Sequence, residues 1–250
     1  MTSALGADIN GQSRRTGHAC TQNANYSACD CRKRCIFVKK DMADNFLERR
    51  QEELSQRRPM VKHTGVQLES LLKKNRSYRG FDQGRIVTEA ELKQIVQTTT
   101  LVASGMNKQR LRFRLVTKPD AGKVLPHITL GAALPQEHLP HPGSEPEAFI
   151  VVCATEPENK VIDIDLGIAA QTMLLKATEM GLGGIFILNF RPEAVREALK
   201  LPLTPIAVIA IGKPAEKIFL VPVSGTSDLN YYRKEGIHYV PKLRTEDLLV

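Results

Sequence analysis

The stretch DLGIAAQTMLLKATEMGLGGIFILNF, residues 165–190, sets a long apolar helix directly before a β-strand. Ile168, Ala169, Ala170, Met173, Leu174, Leu175 and Ala177 leave little polar surface over its first three turns. A helix apolar nearly all round is buried in a large core or between subunits. Asp165 stands where an acidic residue opens a helix, and Gly181 where a left-handed C-cap stops one. IFILNF (185–190) then has the continuous apolar character of a buried strand.

Working outward, the same alternation continues on both sides. RPEAVREALKL reads as an amphipathic helix with Pro192 in its first turn, and TPIAVIAIGKP as a buried strand closed by Gly212 and Pro214. Upstream, AFIVVCAT (148–155) is apolar enough for a central strand, and LRFRLVT (111–117) is a second. TEAELKQIVQTTTLVAS is a helix whose Thr88 and Glu91 have the spacing of a capping box. Before it, Val66, Leu68, Leu71 and Leu72 make a short amphipathic helix. Helices and strands so mixed imply a sheet covered by helices on both faces, an α/β or α+β domain.

Composition divides the chain. Residues 1–41 hold seven Lys or Arg against three Asp, so they carry +4 of the formal +8 net charge. They also hold four of the five cysteines and show no apolar periodicity. They read as a disordered or non-native leader, with Met42 as an alternative start. Residues 42–65 read as an N-terminal helical extension, and 66–250 as the folded domain. The domain itself is only mildly basic, which weighs against a nucleic-acid stripe. Its one cysteine, Cys153, lies in an apolar run, as in proteins of a reducing, cytoplasmic compartment.

Two polar stretches stand out. NRSYRGFD (75–82) sets Arg76 and Arg79 around Ser77, which suits either a solvated helix end or an anion site of guanidinium forks and a hydroxyl. ASGMNKQRLRF (103–113) breaks a helix before a strand and presents Asn107 and Gln109, whose amides can meet a heteroatom-rich ring edge. The stretch 126–147, with His138 and His141, is long for a connection and is expected to act as a lid. No Ser-His-Asp set, paired carboxylates or metal-ligand spacing appears, so no catalytic side chain and no metal ligand is assigned.

Taken together, these motifs resemble the nitroreductase family of flavin mononucleotide (FMN) enzymes. The resemblance rests on Arg76-Ser77-x-Arg79 followed by Phe81; on Ser104, Asn107 and Gln109; on Asp165, Gly167 and Gln171 leading to Gly181-Leu182-Gly183; and on Pro241-Lys242-x-Arg244. It implies that Arg76, Ser77 and Arg79 hold the FMN phosphate and nearby ring atoms, with Lys242 and Arg244 closing from the tail. Asn107 and Gln109 would address the flavin from the partner subunit, and Leu188 and Asn189 would lie beside the ring. The implied fold is α+β, an α/β/α sandwich with a central mixed sheet covered by helices. The implied unit is a homodimer with C-terminal exchange, flavin at the interface, and ping-pong transfer from NAD(P)H to nitroaromatic or quinone acceptors. Asn75 stands where many members have an arginine, and Arg110 and Leu111 replace a common Pro-Trp. Two other readings stay open: a flavin-binding sensor or scavenger without turnover, and a nucleic-acid or zinc-binding module in the Cys-rich leader.

Overall fold

A computed structural model describes residues 67–131, 134 and 137–250 of the chain. The expected leader and the expected extension at 42–65 lie outside the described residues.

The central sheet has four strands, β1 (Leu111–Val116), β2 (Ala148–Ala154), β3 (Gly183–Ile187) and β4 (Pro205–Gly212), in the order β1-β2-β4-β3. All three pairings are antiparallel, and a parallel bridge from Ser77 to Gly184 on the open side of β3 gives that edge its mixed character. Every residue of β2 is buried, because β2 has a neighbour on each side and helices above and below. The period of two sorts its side chains between layers. Ile150 and Val152 face one layer with Ile209, Leu92 and Met173; Phe149, Val151 and Cys153 face the other with Val195, Leu199 and Phe81.

The helices are α1 (Leu68–Lys74), α2 (Glu89–Gln97), α3 (Lys118–Ala121), α4 (Lys160–Glu179) and α5 (Pro192–Leu199). α2 has the capping box expected from Thr88 and Glu91. It tightens into a 3-10 turn at Thr98–Leu101, where the hydroxyls of Thr98, Thr99 and Thr100 donate to the carbonyls three residues back at 2.7–2.8 Å. Threonine hydroxyls that bond to the backbone in this way compete with regular helix.

α4 differs from its expected start. Its N-cap is Asn159, whose Oδ1 accepts the N–H groups of Val161 at 3.0 Å and Ile162 at 3.2 Å. Asp165 therefore lies inside the helix, and it is buried. The helix stops as expected at Gly181, which has φ of 76°, and Leu182 N–H returns to the Ala177 carbonyl at 2.8 Å. β3 begins two residues before the expected IFILNF and leaves Leu188, Asn189 and Phe190 beyond its end.

A second sheet lies beyond the expected elements. β5 (Lys217–Val223), β6 (Tyr232–Lys234) and β7 (Ile237–Leu243) take the order β5-β7-β6, with β5 parallel and β6 antiparallel to β7. Within the chain, β7 pairs with these two strands. Within the stretch at 126–147, Leu130 and Leu134 are buried, and Phe81 N–H donates to the Ser144 carbonyl at 2.9 Å.

Candidate functional site

α1 exposes Leu68 and Leu72 and ends with Lys73 and Lys74 in its last turn. Asn75 caps it, donating its N–H to the Leu71 carbonyl at 2.8 Å. The chain then turns against the edge of β3, where Tyr78 N–H donates to the Gly184 carbonyl at 3.1 Å. This anchoring turns two arginines inward. Arg79 is only 7% exposed; its Nη1 donates to the Ser77 carbonyl at 2.9 Å, and its guanidinium lies 4.9 Å from the centre of the Tyr231 ring. Arg76 donates to the Leu72 carbonyl at 2.6 Å, and burial lowers its guanidinium pKa from the ordinary arginine value.

The opposite wall comes from β7. His238, Val240 and Lys242 are alternate residues of one strand and so share a face. With Asn75, Arg76, Ser77, Arg79, Gln171 and Tyr231 they line a cavity of about 280 Å³. His238 is 2% exposed, and burial, reinforced by Arg79 and Arg233, pushes its pKa down to about 4. It is therefore a neutral imidazole near pH 7. Nε of Arg76, Nε of Arg79 and Nδ1 of His238 are buried with no hydrogen-bond partner among the described residues. Buried polar atoms in native structures almost always have partners, and the two guanidinium Nε–H donors suit an acceptor-rich anion entering the cavity.

The second locus is the turn at 104–109. Asp165 accepts Ser104 Oγ–H at 3.0 Å and Gly105 N–H at 2.7 Å, and Ser104 Oγ in turn accepts Gln109 N–H at 2.9 Å. Gln109 Nε2 donates to Asn107 Oδ1 at 3.1 Å. Met106, Asn107 and Gln109 have φ of 51°, 53° and 49°. Side chains adopt that region at a cost, and such clusters are held only where the surroundings fix them. Gly105 allows the close approach: a Cβ there would stand 2.3 Å from Val161 Cγ1 on α4. Asn107 and Gln109 are both exposed. Beside them Ser104, Gln109, Arg110, Leu111 and Phe113 line a larger cavity of about 420 Å³.

The structure thus joins Arg76, Ser77, Arg79 and Lys242 in one cavity. It does not bring Asn107 and Gln109 there; among the described residues, none lines both cavities within one chain. Leu188 is exposed, and the Asn189 carbonyl accepts Thr129 N–H at 2.9 Å. Arg244 lies just beyond β7, exposed and outside the cavity wall. Sequence reasoning missed His238, Tyr231 and Gln171 as wall residues. Strand alternation backward from Lys242 would have found His238; nothing local in the sequence marks Tyr231.

The domain is an α+β sandwich in which Arg76, Arg79 and Lys242 line a cavity beside the edge of its sheet. The Nitroreductase family profile matches residues 72–213, and the chain belongs to the nitroreductase family. A Methanothermobacter thermautotrophicus protein bearing the name NADH dehydrogenase/NAD(P)H nitroreductase is 29% identical over 167 residues, 63% of this chain and 80% of that one. Among solved structures, a nitroreductase family protein from Streptococcus pneumoniae TIGR4 superposes with a TM-score of 0.51 at 18% identity, covering 65% of this chain and 96% of its own. An FMN-dependent nitroreductase from Clostridium difficile R20291 gives 0.49 at 25% identity, covering 60% and 89%. The profile match ends at Lys213, before the second sheet that carries His238 and Lys242.

Proposed function

We propose that the chain is an FMN-dependent oxidoreductase that takes electrons from NAD(P)H and delivers them to nitroaromatic, quinone or related acceptors. The observation that carries this reading is the cavity in which Arg79, buried and with Nε unpartnered among the described residues, lies across from Lys242 of β7. A phosphate monoester brings close to two negative charges and several strong acceptor oxygens. Arg76, Arg79, Lys242 and the Ser77 hydroxyl are the donors such a group requires, so the residues present fit it. Bound there, FMN would accept hydride from NAD(P)H and pass reducing equivalents to an acceptor that replaces the nicotinamide, a ping-pong exchange.

The chain's own part is binding and orientation. Arg76, Arg79 and Lys242 neutralise the phosphate, and Arg244 extends the positive charge past the end of β7. Leu188 and Asn189, just past β3, supply a wall and backbone groups beside the ring. Asn107 and Gln109 meet the flavin from a second copy of the chain.

A homodimer is supported by the open face of α4. Val161, Ile164, Ile168 and Leu175 follow helical spacing along it; Val161 and Ile164 are 36% and 53% exposed. The same stripe contains Gln171, which lines the anion cavity. Apolar surface continuous with a ligand wall is what an obligate interface with a shared site needs. A cytoplasmic setting is supported by the cysteine usage of residues 66–250, a single thiol at Cys153 that lies buried in β2. Among the described residues, no helix is long and apolar enough to cross a membrane.

The visible spectrum of the purified full-length chain tests the reading. A flavin spectrum, together with NAD(P)H oxidation sustained by menadione or nitrofurazone, is the expected result. A colourless protein that gains no flavin spectrum on FMN addition defeats it. Bound flavin without turnover would make the chain a flavin carrier or sensor instead.

A further inference from the structure

Glu216 stands immediately before β5, between the two walls of the anion cavity. Its Oε1 accepts the backbone N–H groups of Arg79 and Gly80, the second at 2.9 Å, and its Oε2 pairs with Arg233. Arg233 Nε also lies 3.2 Å from a carboxylate oxygen of Glu137. The Glu216 side chain is 8% exposed and that of Arg233 14%. A carboxylate this near an anion cavity repels the ligand unless its charge is taken up elsewhere. Here one oxygen is used by two backbone N–H groups and the other by a guanidinium, so both are engaged away from the ligand and Glu216 is absent from the cavity lining.

The consequence is geometric. The two N–H bonds fix the backbone from which the Arg79 side chain departs toward Ser77 and the Tyr231 ring. The residue after Glu216 begins β5, whose Ile218 is in register with His238 on the opposite wall. One side chain therefore ties the arginine motif to the sheet that carries Lys242.

We propose that Glu216 is a positioning residue for the phosphate clamp, setting Arg79 against Lys242 while Arg233 holds its negative charge. The inference rests on the flavin reading of this cavity. Glu216 acts through Arg79 and does not itself line the cavity.

The test uses the full-length chain and two ligands that differ by the phosphate alone, FMN and riboflavin, titrated by flavin fluorescence. Glu216→Ala should weaken FMN by about ten- to hundredfold, the range for a lost charge-assisted hydrogen bond, and change riboflavin by less than about threefold. Glu216→Gln keeps an oxygen for the two N–H groups and should recover part of that loss. Equal weakening of both flavins in a variant that stays folded overturns the proposal, because a merely structural role predicts it; so does no change in either. If Glu216→Ala does not fold, the same comparison is made on Glu216→Gln. If the unmutated chain binds neither flavin, the flavin reading fails separately. Amide exchange at Arg79 and Gly80 then decides the Glu216 contact: it should rise about tenfold in the variant while β4 is unchanged, and unaltered exchange removes the proposal.

Discussion

Asp165 Oδ1 accepts the Gly105 N–H at 2.7 Å, linking the second turn of the long apolar helix to the turn that carries Asn107 and Gln109. The other oxygen takes the Ser104 hydroxyl at 3.0 Å, and both contacts are made by a residue only 4% exposed. Buried in this way, the carboxylate acts as a fixed template for a turn with three non-glycine residues at positive φ. Replacing Asp165 by Ala would leave a buried N–H and a hydroxyl without partners. The expected loss is about 1–3 kcal/mol of unfolding free energy, measured by urea denaturation. Asp165→Asn keeps one acceptor and should lose less.

Asp165 also shows what the sequence could and could not reveal. Its position before a long apolar run reads naturally as a helix start. The polar residues in KVIDID hid one and a half further turns, and Ile162 alone of the first few residues there is deeply buried. β2, β3 and β4 were legible because continuous apolar runs have few other uses, and β1 because Leu111, Phe113 and Leu115 alternate with Arg112 and Arg114. β5 was not, since Lys217, Phe219 and Leu220 are exposed and the strand has no clean alternation. That Arg76, Arg79 and Lys242 would come together was legible from their motifs, and they line one cavity. The contacts of Glu216 with Arg79, Gly80 and Arg233 were hidden because they join residues far apart in the chain.

Gly105 makes a separate demand on the same turn. A Cβ at this position would meet Val161 Cγ1 at only 2.3 Å, so any side chain forces apart the turn and α4. Gly105→Ala should destabilise the protein by about 1–3 kcal/mol, as overpacking typically does. Val161→Ala removes the opposing methyl, so the double variant should be more stable than Gly105→Ala alone. Denaturation midpoints of the four proteins form the cycle, and an additive result would show that the glycine serves backbone freedom and not close approach.

His238 gives the stability a defined pH dependence. Its folded-state pKa is about 4 against an ordinary 6.5, set first by burial and then by Arg79 and Arg233, with Glu216 opposing. Below pH 6.5 the unfolded chain binds a proton that the folded chain refuses, so stability is fully present above about 6.5 and falls as the pH drops toward 4. Below about 4 both states are protonated and this contribution stops changing. Unfolding free energies between about pH 4 and 7 should therefore slope for the natural chain and flatten for His238→Gln. An unchanged slope would assign the pH dependence to other groups.

The separation of the two loci predicts how flavin binding depends on assembly. Within one chain the clamp residues Arg79 and Lys242 line one cavity, and Gln109 lines another with no described residue in common. If a second copy completes the site, then disrupting the open face of α4 must cost flavin even though no clamp residue has changed. Ile164 is 53% exposed on that face and has no role in the core. Ile164→Glu places a charge where the proposed interface is apolar, an arrangement that association strongly disfavours. Light scattering should show a dimer for the natural chain and a monomer for the variant, with flavin lost in parallel and the thermal transition of the folded domain retained. A monomeric variant that keeps its flavin would place the whole binding site within one chain and leave Asn107 and Gln109 without a part in it.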